Sequence, residues 1–356
     1  MGRSPPPDLD RPMPPPPAVR RALVGWYRRA ARDLPWRRSP SPYAVWISET
    51  MLQQTQVDRV KDYFTRFMTL FPTVAALAAA DADDVLRAWE GLGYYRRARQ
   101  LHAAARRVVT DHDGILPADE RMLRGLPGIG RYTAGAILSI AHDRPAPIVE
   151  ANSRRVLARL VGHAAPVGGS AGDEPLWQVA ARLVPRRGAG TFNQALMDLG
   201  ATVCIPKRPS CGRCPLASLC VARATGRTAG IPAMATRRTM VERRETALVA
   251  CHRGRVLLRR RAPGEWWEGL WDFPRLPAAD LVERLSLGPA RTIARLCYTV
   301  THHRVALRVV SRAAARAGRS GADRMWVVPN ELERFALTAP GRRIARLVAS
   351  RHRAEG

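Results

Sequence analysis

Four cysteines stand close together in the second half of the chain. Their spacing, Cys204-x6-Cys211-x2-Cys214-x5-Cys220, places four thiols within 17 residues. Thiolates at this density can enclose one metal centre, and the bunching fits a metal site better than a disulfide framework. A four-thiolate zinc site is one interpretation, although zinc sites usually arrange their ligands as two separated Cys-x2-Cys pairs. The staggered spacing here departs from that arrangement.

A glycine-containing turn lies about 70 residues before the cysteines. In Leu126-Pro127-Gly128-Ile129-Gly130, two glycines between helical segments allow a tight turn whose N–H groups can face an anion. The positive end of the following helix adds to the attraction. The pattern predicts a helix-hairpin-helix that binds a DNA phosphate without reading sequence, whereas a plain helix–helix turn is the simpler alternative.

Two carboxylates can take part in acid–base chemistry. Glu150 follows Gly130 by twenty residues and precedes a helix, where a lone Glu is typically an N-terminal cap or a partner of the helix dipole. Glu49 stands in a helical run and, taken alone, is typical of a solvated helix residue. A catalytic role for either residue therefore depends on what surrounds it.

The elements that must position these residues are mostly helical up to about Arg223. Val57, Val60, Phe64, Phe67 and Phe71 recur at intervals of three and four, which predicts a buried helical stripe. Residues 1–17 hold eight prolines and predict a disordered tail, with a helix from about Ala18. Residues 224–240 read as a linker. Beyond it the sequence predicts strands at 246–250, 256–258, 298–310 and 325–328. It also predicts helices at 279–285 and 341–350, and therefore an α+β domain. Cys251 and Cys297 lack ligand-like neighbours and are expected to be buried.

The charge of the chain points to a polyanionic partner. Its 356 residues hold 58 Lys and Arg against 30 Asp and Glu, a net charge of +28, and only Lys61 and Lys207 are lysines. Residues 236–356 hold 25 Arg and 11 acids, or +14, which is half of the excess in a third of the length. The length suggests two domains, and no run of about 18 apolar residues or secretory signal is visible.

Taken together, these motifs resemble the MutY-type adenine DNA glycosylases of the endonuclease III superfamily. The resemblance is dense over residues 20–225 and looser beyond them. It is carried by Leu34-Pro35-Trp36, Glu49 with Met51-Leu52-Gln53-Gln54-Thr55-Gln56, Gly91-Leu92-Gly93-Tyr94-Tyr95, the hairpin, Phe192-Asn193-Gln194-Ala195, Met197-Asp198-Leu199-Gly200 and the cysteine loop. It implies a multidomain protein with an all-α helix-hairpin-helix glycosylase core at 18–223, bearing a [4Fe–4S] loop on Cys204, Cys211, Cys214 and Cys220. A linker at 224–240 then leads to an α+β Nudix-like lesion-recognition domain at 241–356.

The resemblance also implies a mechanism in which adenine is hydrolysed from the sugar. Glu49 becomes the general acid that protonates the leaving base, which requires a raised pKa. Glu150 falls where the family has an Asp, so the charge is kept with one methylene added, and Asn152 orients this carboxylate or the water. Tyr132 stands where bifunctional relatives carry a Schiff-base Lys, which predicts base removal without strand cleavage.

DNA contacts follow from the same resemblance, at Gln54, Tyr94, Gly128, Gly130, Arg154, Thr301 and His302. Tyr95 is either a DNA contact or a core residue. Thr301 and His302 stand where the family has a Phe-Ser-His loop that recognises the oxidised guanine, but Val300 replaces the aromatic residue. A polar strand-end role is the alternative for His302. The Nudix hydrolase box is absent, so the second domain reads as a recognition module.

The expected substrate is double-stranded DNA that contains adenine opposite 8-oxoguanine or guanine. The chain is expected to be a monomer without a membrane partner, in the cytoplasm and associated with the nucleoid. The alternative function is a DNA-binding protein on the same scaffold that has lost catalysis, for which Glu150 is the sequence hint.

Overall fold

The computed structural model describes residues 13–168, 170–233, 239–276, 286–317 and 320–355. Its contacts divide the chain into two compact units, Met1–Ala75 with Ala103–Thr236 and Ala76–His102 with Arg237–Gly356. The chain therefore passes between the units three times. The predicted helical domain at 18–223 included residues 76–102, whose contacts instead group with the C-terminal strands.

The helices of the first three fifths of the chain are short and joined by tight turns. They are α1 Pro16–Ala30, α2 Pro35–Arg38, α3 Pro42–Leu52, α4 Val57–Leu70, α5 Val74–Ala79, α6 Ala82–Ala88, α7 Arg96–Asp111, α8 Glu120–Arg124, α9 Arg131–Ala136 with a π-helical turn at Ile137–Ala141, α10 Ala151–Val161, α11 Ser170–Leu183, α12 Ala189–Thr202 and α13 Val221–Ala224. The predicted all-helical character of this part is confirmed. The first helix begins at Pro16 rather than near Ala18, because proline fits the first turn of a helix, where no intrahelical N–H partner is needed. Of the predicted disordered tail, residues 1–12 lie outside the described residues.

Helix packing follows the apolar pattern. In α4, Val60, Phe64 and Phe67 are buried, and Phe71 beyond its end is buried as well, which confirms the predicted stripe except at Val57, which is half-buried. In α3, every residue from Tyr43 to Met51 is buried, including the polar residues Ser48, Glu49 and Thr50.

The segment after α13 packs on the first unit. Ile231 is 1% exposed within the core of that unit, and the Arg159 guanidinium donates to its carbonyl at 2.8 Å. The predicted linker at 224–240 is thus bound to the helices at least up to Ala233, where a bridge to Pro166 forms.

The second unit is built on a mixed seven-stranded sheet. Its strands are β1 Val241–His252, β2 Arg255–Arg260, β3 Trp271–Asp272, β4 Arg275–Leu276, β5 Arg291–Val300, β6 His303–Ala313 and β7 Arg324–Val327. The order along the sheet is β3-β2-β1-β6-β5, with β1 and β6 parallel, β4 paired to β1 and β7 paired to β2. A long C-terminal helix, α14 Ala339–Glu355, buries Ile344 and Val348 in the core of this unit.

The structure corrects two sequence predictions about this unit. The run 298–310 is two antiparallel strands, β5 and β6, since the chain reverses between Val300 and His303. Cys297 is exposed, so its predicted burial was wrong. The helix predicted at 279–285 lies outside the described residues.

Ion pairs explain why residues 76–102 group with the strands. Arg260 binds Asp83 in the first turn of α6, with nitrogen–oxygen distances of 3.0 and 2.8 Å. Arg342 of α14 binds Glu90 at 2.6 and 2.7 Å. Both guanidiniums thus meet their carboxylates through two hydrogen bonds, the geometry that makes such pairs strong.

Within the described residues, no helix is long and apolar enough to span a membrane.

The packing of α10 against α12 predicts a large effect of one methyl group. A Cβ at Gly200 would lie 2.7 Å from the Cβ of Asn152 and 2.8 Å from its carbonyl oxygen, so Gly200→Ala is expected to lower the free energy of unfolding by about 1–3 kcal/mol. Gly25→Ala in α1 is the matched control, because nothing lies within 4 Å of its Cβ. That change should be neutral or stabilise by about 0.5–1 kcal/mol. Urea unfolding of both variants measures the difference, and equal midpoints would contradict the prediction.

Candidate active site

Glu49 is the buried carboxyl at the centre of the site. It lies in α3, whose first turn is capped by the Ser41 hydroxyl, and it is 3% exposed. Burial raises the pKa of Glu49 to about 7, and the nearby charge of Glu150 acts in the same direction. The Tyr132 hydrogen bond and the Arg37 charge oppose this shift without cancelling it. The raised pKa that a general acid needs is therefore present.

Tyr132 brings the hairpin to Glu49. The turn between α8 and α9 contains Gly128 at φ +77°, a left-handed conformation that glycine adopts without strain, and Gly130 is the N-cap of α9. Tyr132, the second residue of α9, donates its hydroxyl hydrogen to the Oε2 atom of Glu49. Burial and the two carboxylates, Glu49 and Glu150, hold the pKa of Tyr132 well above its usual value, so the phenol stays a donor.

Glu150 is the N-cap of α10. Its two carboxylate oxygens accept from the backbone N–H groups of Asn152 at 2.7 Å and Ser153 at 2.8 Å, and the Ser153 hydroxyl accepts from the Glu150 N–H at 2.8 Å. This is a reciprocal capping box. Burial raises the pKa of Glu150, whereas the two backbone hydrogen bonds and nearby arginines favour its charged form. The capping role considered for this residue is thus observed, beside its electrostatic influence on Glu49 and Tyr132.

Asn152 contributes to this arrangement through its backbone. Its side-chain oxygen accepts from Arg155 at 2.9 Å, and the same guanidinium donates to the carbonyls of Gly200 and Cys204, both at 2.7 Å. Arg155, which the sequence analysis did not single out, therefore links the helix of Glu150 to α12 and to the cysteine loop.

A second buried carboxylate fixes two arginines beside Glu49. Asp198 of α12 has 0% exposure and accepts from Arg37 at 2.8 and 2.9 Å and from the Nε atom of Arg32 at 2.8 Å. Burial by itself would raise the pKa of Asp198, but hydrogen bonds and charge from the two guanidiniums lower it. The sequence analysis missed both arginines. The sequence feature that could have revealed them is Asp198 in a largely apolar helix, because a buried carboxylate needs a cation as its partner.

Glu49, Arg32 and Arg37 line one pocket of the first unit. Its walls come from the α1–α2 connection, α2, α3, the start of α4, the π-helical turn and α12, and comprise Arg32, Leu34, Trp36, Arg37, Val45, Ser48, Glu49, Leu52, Val57, Ile140, Gln194 and Met197. The pocket is mostly apolar, and its ionisable groups are Glu49 and the two arginines held by Asp198.

Two predicted DNA contacts are exposed and have left-handed backbone. Gln54 has φ +61° and Tyr94, 55% exposed, has φ +48°. Non-glycine residues rarely adopt this conformation, and it clusters at functional sites. Tyr95, by contrast, is buried and its hydroxyl accepts from the Gly91 N–H at 3.2 Å, so it is a core residue.

A buried guanidinium supports the turn of Tyr94. Arg97 is 8% exposed, donates to the carbonyl of Gly93 at 3.1 Å and lies over the rings of Trp89 and Tyr94 at 5.3 and 5.6 Å. Burial lowers the pKa of Arg97 to about 10, which still leaves it charged. Sequence reasoning missed this residue as well.

The remaining predicted contacts differ in their surroundings. Arg154 forms an ion pair of 2.6 Å with Asp173, so its charge is already compensated. Thr301 and His302 form the two-residue turn between β5 and β6, where Thr301 is exposed with φ +52° and His302 is half-buried.

The four predicted metal ligands line a single pocket. Cys204, Cys211, Cys214 and Cys220 surround it together with Arg159, Val203, Pro209, Ser210, Ala217, Arg223 and Thr228. Arg159 donates to the sulfur of Cys204 at 3.4 Å and to the carbonyls of Ile205 and Pro206 at 2.8 and 3.0 Å. Among the described residues, no group of three or more His, Cys, Asp or Glu is gathered closely enough to hold a single metal ion. Four soft sulfur donors around one pocket, with a cation beside them, fit an anionic thiolate cluster.

Comparisons with known proteins agree with this architecture. Residues 47–167 match the family described as HhH-GPD superfamily base excision DNA repair protein, and residues 246–347 match the NUDIX domain. A solved structure of a thermostable thymine-DNA glycosylase superposes with a TM-score of 0.54 at 27% identity, covering 59% of this chain and 97% of that chain. The predicted fold class, a helix-hairpin-helix core with a C-terminal Nudix-like domain, is confirmed.

Curated relatives indicate which family of DNA glycosylases the chain belongs to. An adenine DNA glycosylase of Rattus norvegicus is 47% identical over 227 residues, which are 60% of this chain and 44% of the rat protein, so the match spans less than half of that relative. An adenine DNA glycosylase of Buchnera aphidicola subsp. Acyrthosiphon pisum is 35% identical over 254 residues, 71% of this chain and 73% of that protein. The chain belongs to the adenine DNA glycosylase family.

Proposed function

We propose that the chain is a monofunctional DNA glycosylase that hydrolyses the N-glycosidic bond of adenine mispaired with 8-oxoguanine or guanine. The observation that carries the proposal is Glu49, a fully buried carboxyl whose pKa lies near 7 in a pocket beside Tyr132. A carboxyl of this kind holds its proton near neutral pH and can still release it. Few structural roles would require such a group inside a helix core.

The lining of the pocket suits an extruded base. A base inside a duplex is unreachable, so the nucleotide must leave the stack. The pocket walls then offer apolar side chains, including Trp36, and the acid of Glu49 to a purine ring nitrogen. Protonation of the leaving base lowers the barrier to breaking the glycosidic bond, and a positioned general acid supplies about 10²–10⁴-fold of rate.

Glu150 is the carboxylate that stabilises the sugar cation. Bond cleavage leaves an oxocarbenium-like sugar, and a second, ionised carboxylate lowers its energy. The N–H groups of Asn152 and Ser153 hold Glu150 in place and favour its negative charge. The two carboxyls thus divide their roles, because Glu49 lacks any backbone N–H partner in the interactions that set its pKa.

Strand cleavage by an amine is not part of this proposal. Tyr132 occupies the hairpin position, and its hydroxyl is committed to Glu49. A phenol cannot form a Schiff base with the sugar, so water completes the reaction.

Exposed side chains support the binding of mispaired DNA. Gln54 and Tyr94 are held outward in strained backbone, and an aromatic ring can replace the stacking that an extruded base gives up. Lys207, Arg208 and Arg213 of the cysteine loop are exposed and suited to phosphates.

We also assign a [4Fe–4S] cluster to Cys204, Cys211, Cys214 and Cys220. When bound, it supplies a structural cross-link of the loop that presents the exposed cations. Arg159 of α10 donates hydrogen bonds to two carbonyls of the cysteine loop and so helps to orient the loop.

Excision by the wild type and by Glu49→Gln tests the proposed function. With enzyme in excess over a duplex carrying A opposite 8-oxoguanine, alkali should reveal strand breaks at the adenine, and Glu49→Gln should slow their formation at least about 100-fold. Glu331→Gln, an exposed residue of the other unit, is the matched control and should leave the rate unchanged. Absence of product from the wild type would leave the DNA-binding protein that has lost catalysis. An undiminished rate in Glu49→Gln would refute the assigned acid.

The same residue sets the expected pH dependence. Because the pKa is raised, Glu49 keeps its proton up to about pH 7 and loses it above. The single-turnover rate should therefore fall above pH 7, approaching about tenfold per pH unit. A rate that stays constant from pH 6 to 9 would contradict this assignment.

Metal analysis of the purified full chain tests the cluster. We expect about four iron and four sulfide per chain with a yellow-brown colour, and loss of both in Cys214→Ala. Cys251→Ala, in the second unit, is the control and should keep the iron. A colourless preparation with stoichiometric zinc would show the alternative four-thiolate site instead.

The turn of Tyr94 generates a further prediction. Arg97→Lys replaces a planar guanidinium, which contacts one carbonyl and two aromatic rings, by a compact ammonium group. The turn that carries Tyr94 should therefore become less ordered. Base opening, followed by the fluorescence of 2-aminopurine at the target position, is expected to fall about tenfold. Arg96→Lys, at the exposed neighbouring position, is the control. Equal fluorescence changes in both variants would count against a positioning role for Arg97.

A further inference from the structure

A basic groove lies on the first unit, between α1 and the turn that joins α11 to α12. It encloses about 440 Å³. Among the described residues, it shares no lining side chain with the pocket of Glu49. We refer to it as the α1 groove and define it by Arg21, Val24, Gly25 and Arg28 of α1 and by Pro185 and Arg187 of the turn.

The spacing along α1 gives the groove an apolar floor between cationic side chains. Arg21, Gly25 and Arg28 stand at i, i+4 and i+7 and therefore share one face of the helix, with the two arginines about 10 Å apart along its axis. Nothing lies within 4 Å of a Cβ at Gly25, so the surface between them is open. Val24 and Pro185 are half-buried, whereas the arginines of the groove face are exposed, which places the apolar side chains deeper than the charges.

The two walls of the α1 groove are joined by Arg20. Its guanidinium donates to the carbonyls of Arg182 at 3.0 Å, Leu183 at 2.7 Å and Val184 at 3.1 Å. These carbonyls lie at the end of α11, where a helix leaves its last acceptors without intrahelical partners. The groove is therefore formed without a ligand, which lowers the entropic cost of binding one.

The charge of the α1 groove is positive throughout. Arg21, Arg28 and Arg187 are exposed at its rim, and no Asp or Glu lines it in the part of the chain that the structure describes. Asp143 accepts from the N–H groups of Gly188 at 2.8 Å and Gly190 at 3.3 Å and so caps the start of α12. Because those N–H groups are already bonded, the three arginines are the groups that can bind an anion.

We propose that the α1 groove binds an acidic segment of a partner protein in which apolar residues stand among the acidic ones. Carboxylates of the segment pair with Arg21, Arg28 and Arg187, since a guanidinium can bind a carboxylate through two hydrogen bonds. Its apolar side chains cover Val24 and Pro185. This inference goes beyond the proposed function and does not depend on adenine excision.

The lining favours a peptide over a nucleic acid. A sugar–phosphate backbone has no apolar side chain to place on the floor, and it would bring charge against an apolar surface. Single strands bind largely by stacking on aromatic rings, and among the described residues no aromatic side chain lines the groove. The enclosed volume is that of a ligand pocket, which suits a segment of a few residues.

Fluorescence anisotropy of the full chain with a labelled peptide tests the floor of the groove. The probe is a short peptide in which acidic residues flank a pair of leucines. Gly25→Leu should weaken its binding about tenfold, because the new side chain occupies the floor without changing the charge. Leucine favours a helix more than glycine does, so α1 is retained. A second peptide with serines in place of the leucines should bind the wild type about tenfold more weakly than the first.

Two neighbouring arginines separate the groove from general charge. Arg28→Gln should weaken binding of the leucine peptide about fivefold, the upper range for one exposed ion pair. Arg29→Gln is the matched control, because Arg29 is an exposed residue of the same helix outside the groove. Its loss should cost less than about twofold. Both variants should bind a duplex with guanine opposite a stable abasic analogue equally well.

Three results would overturn the proposal. Equal losses of peptide binding in Arg28→Gln and Arg29→Gln, with none in Gly25→Leu, would show general attraction to a basic chain. Weaker duplex binding with a smaller salt dependence in Arg28→Gln than in Arg29→Gln would assign the groove to DNA. Residues 1–12 contain Asp8 and Asp10, and peptide binding that appears only after their removal would assign the groove to the chain's own N-terminal segment. Unchanged thermal unfolding of Gly25→Leu excludes a folding defect as the cause of weaker binding.

Discussion

The burial of Glu49 is the constraint on which the rest of the site depends. A carboxyl in this position stays neutral only if nearby cations are prevented from pairing with it, and Arg37 lies in the same pocket. Asp198 meets that requirement, since it accepts two hydrogen bonds from Arg37 and leaves Glu49 with only a weak opposing influence. A negative charge buried in α12 thus keeps a second carboxyl protonated in α3. The arrangement separates the pKa values of two buried acids, Asp198 lowered and Glu49 raised, by controlling which of them reaches the guanidinium.

The longer side chain at Glu150 fits the same reasoning. Because the carboxylate is bonded to the backbone of its own helix through both oxygens, its position is set by α10 rather than by the pocket. Arg155 then couples that helix to α12 and the cysteine loop. The methylene that distinguishes Glu150 from the usual Asp is accommodated by the cap, and Gly200 leaves room for α10 to approach α12 closely. The charge that we propose to face the sugar and the start of the helix are thereby one feature.

Much of this could be predicted from sequence, and the failures share a cause. The stripe of α4, the hairpin and the convergence of the four cysteines on one pocket were visible, because each is encoded by residues near one another in the chain. Arg32, Arg37 and Arg97 were missed, since in a chain with 56 arginines none stands out until its partner from a distant segment is known. The split of 298–310 into two strands was missed because the turn lacks the usual glycine or asparagine. Residues 76–102 read as part of the helical domain, and their grouping is seen only in long-range contacts such as the ion pairs with Arg260 and Arg342.

Arg159 has a consequence for how the chain responds to damage. One guanidinium binds the carbonyls of Ile205 and Pro206 in the cysteine loop and that of Ile231 in the segment leading to β1. A disordered loop leaves this guanidinium without two of its acceptors and freer to move away from Ile231, so the order of the loop and the order of the exit segment are coupled through one side chain. A chemical change at the cysteine loop, such as oxidation of its thiols, is thereby transmitted through Arg159 to the segment that leads to the second unit.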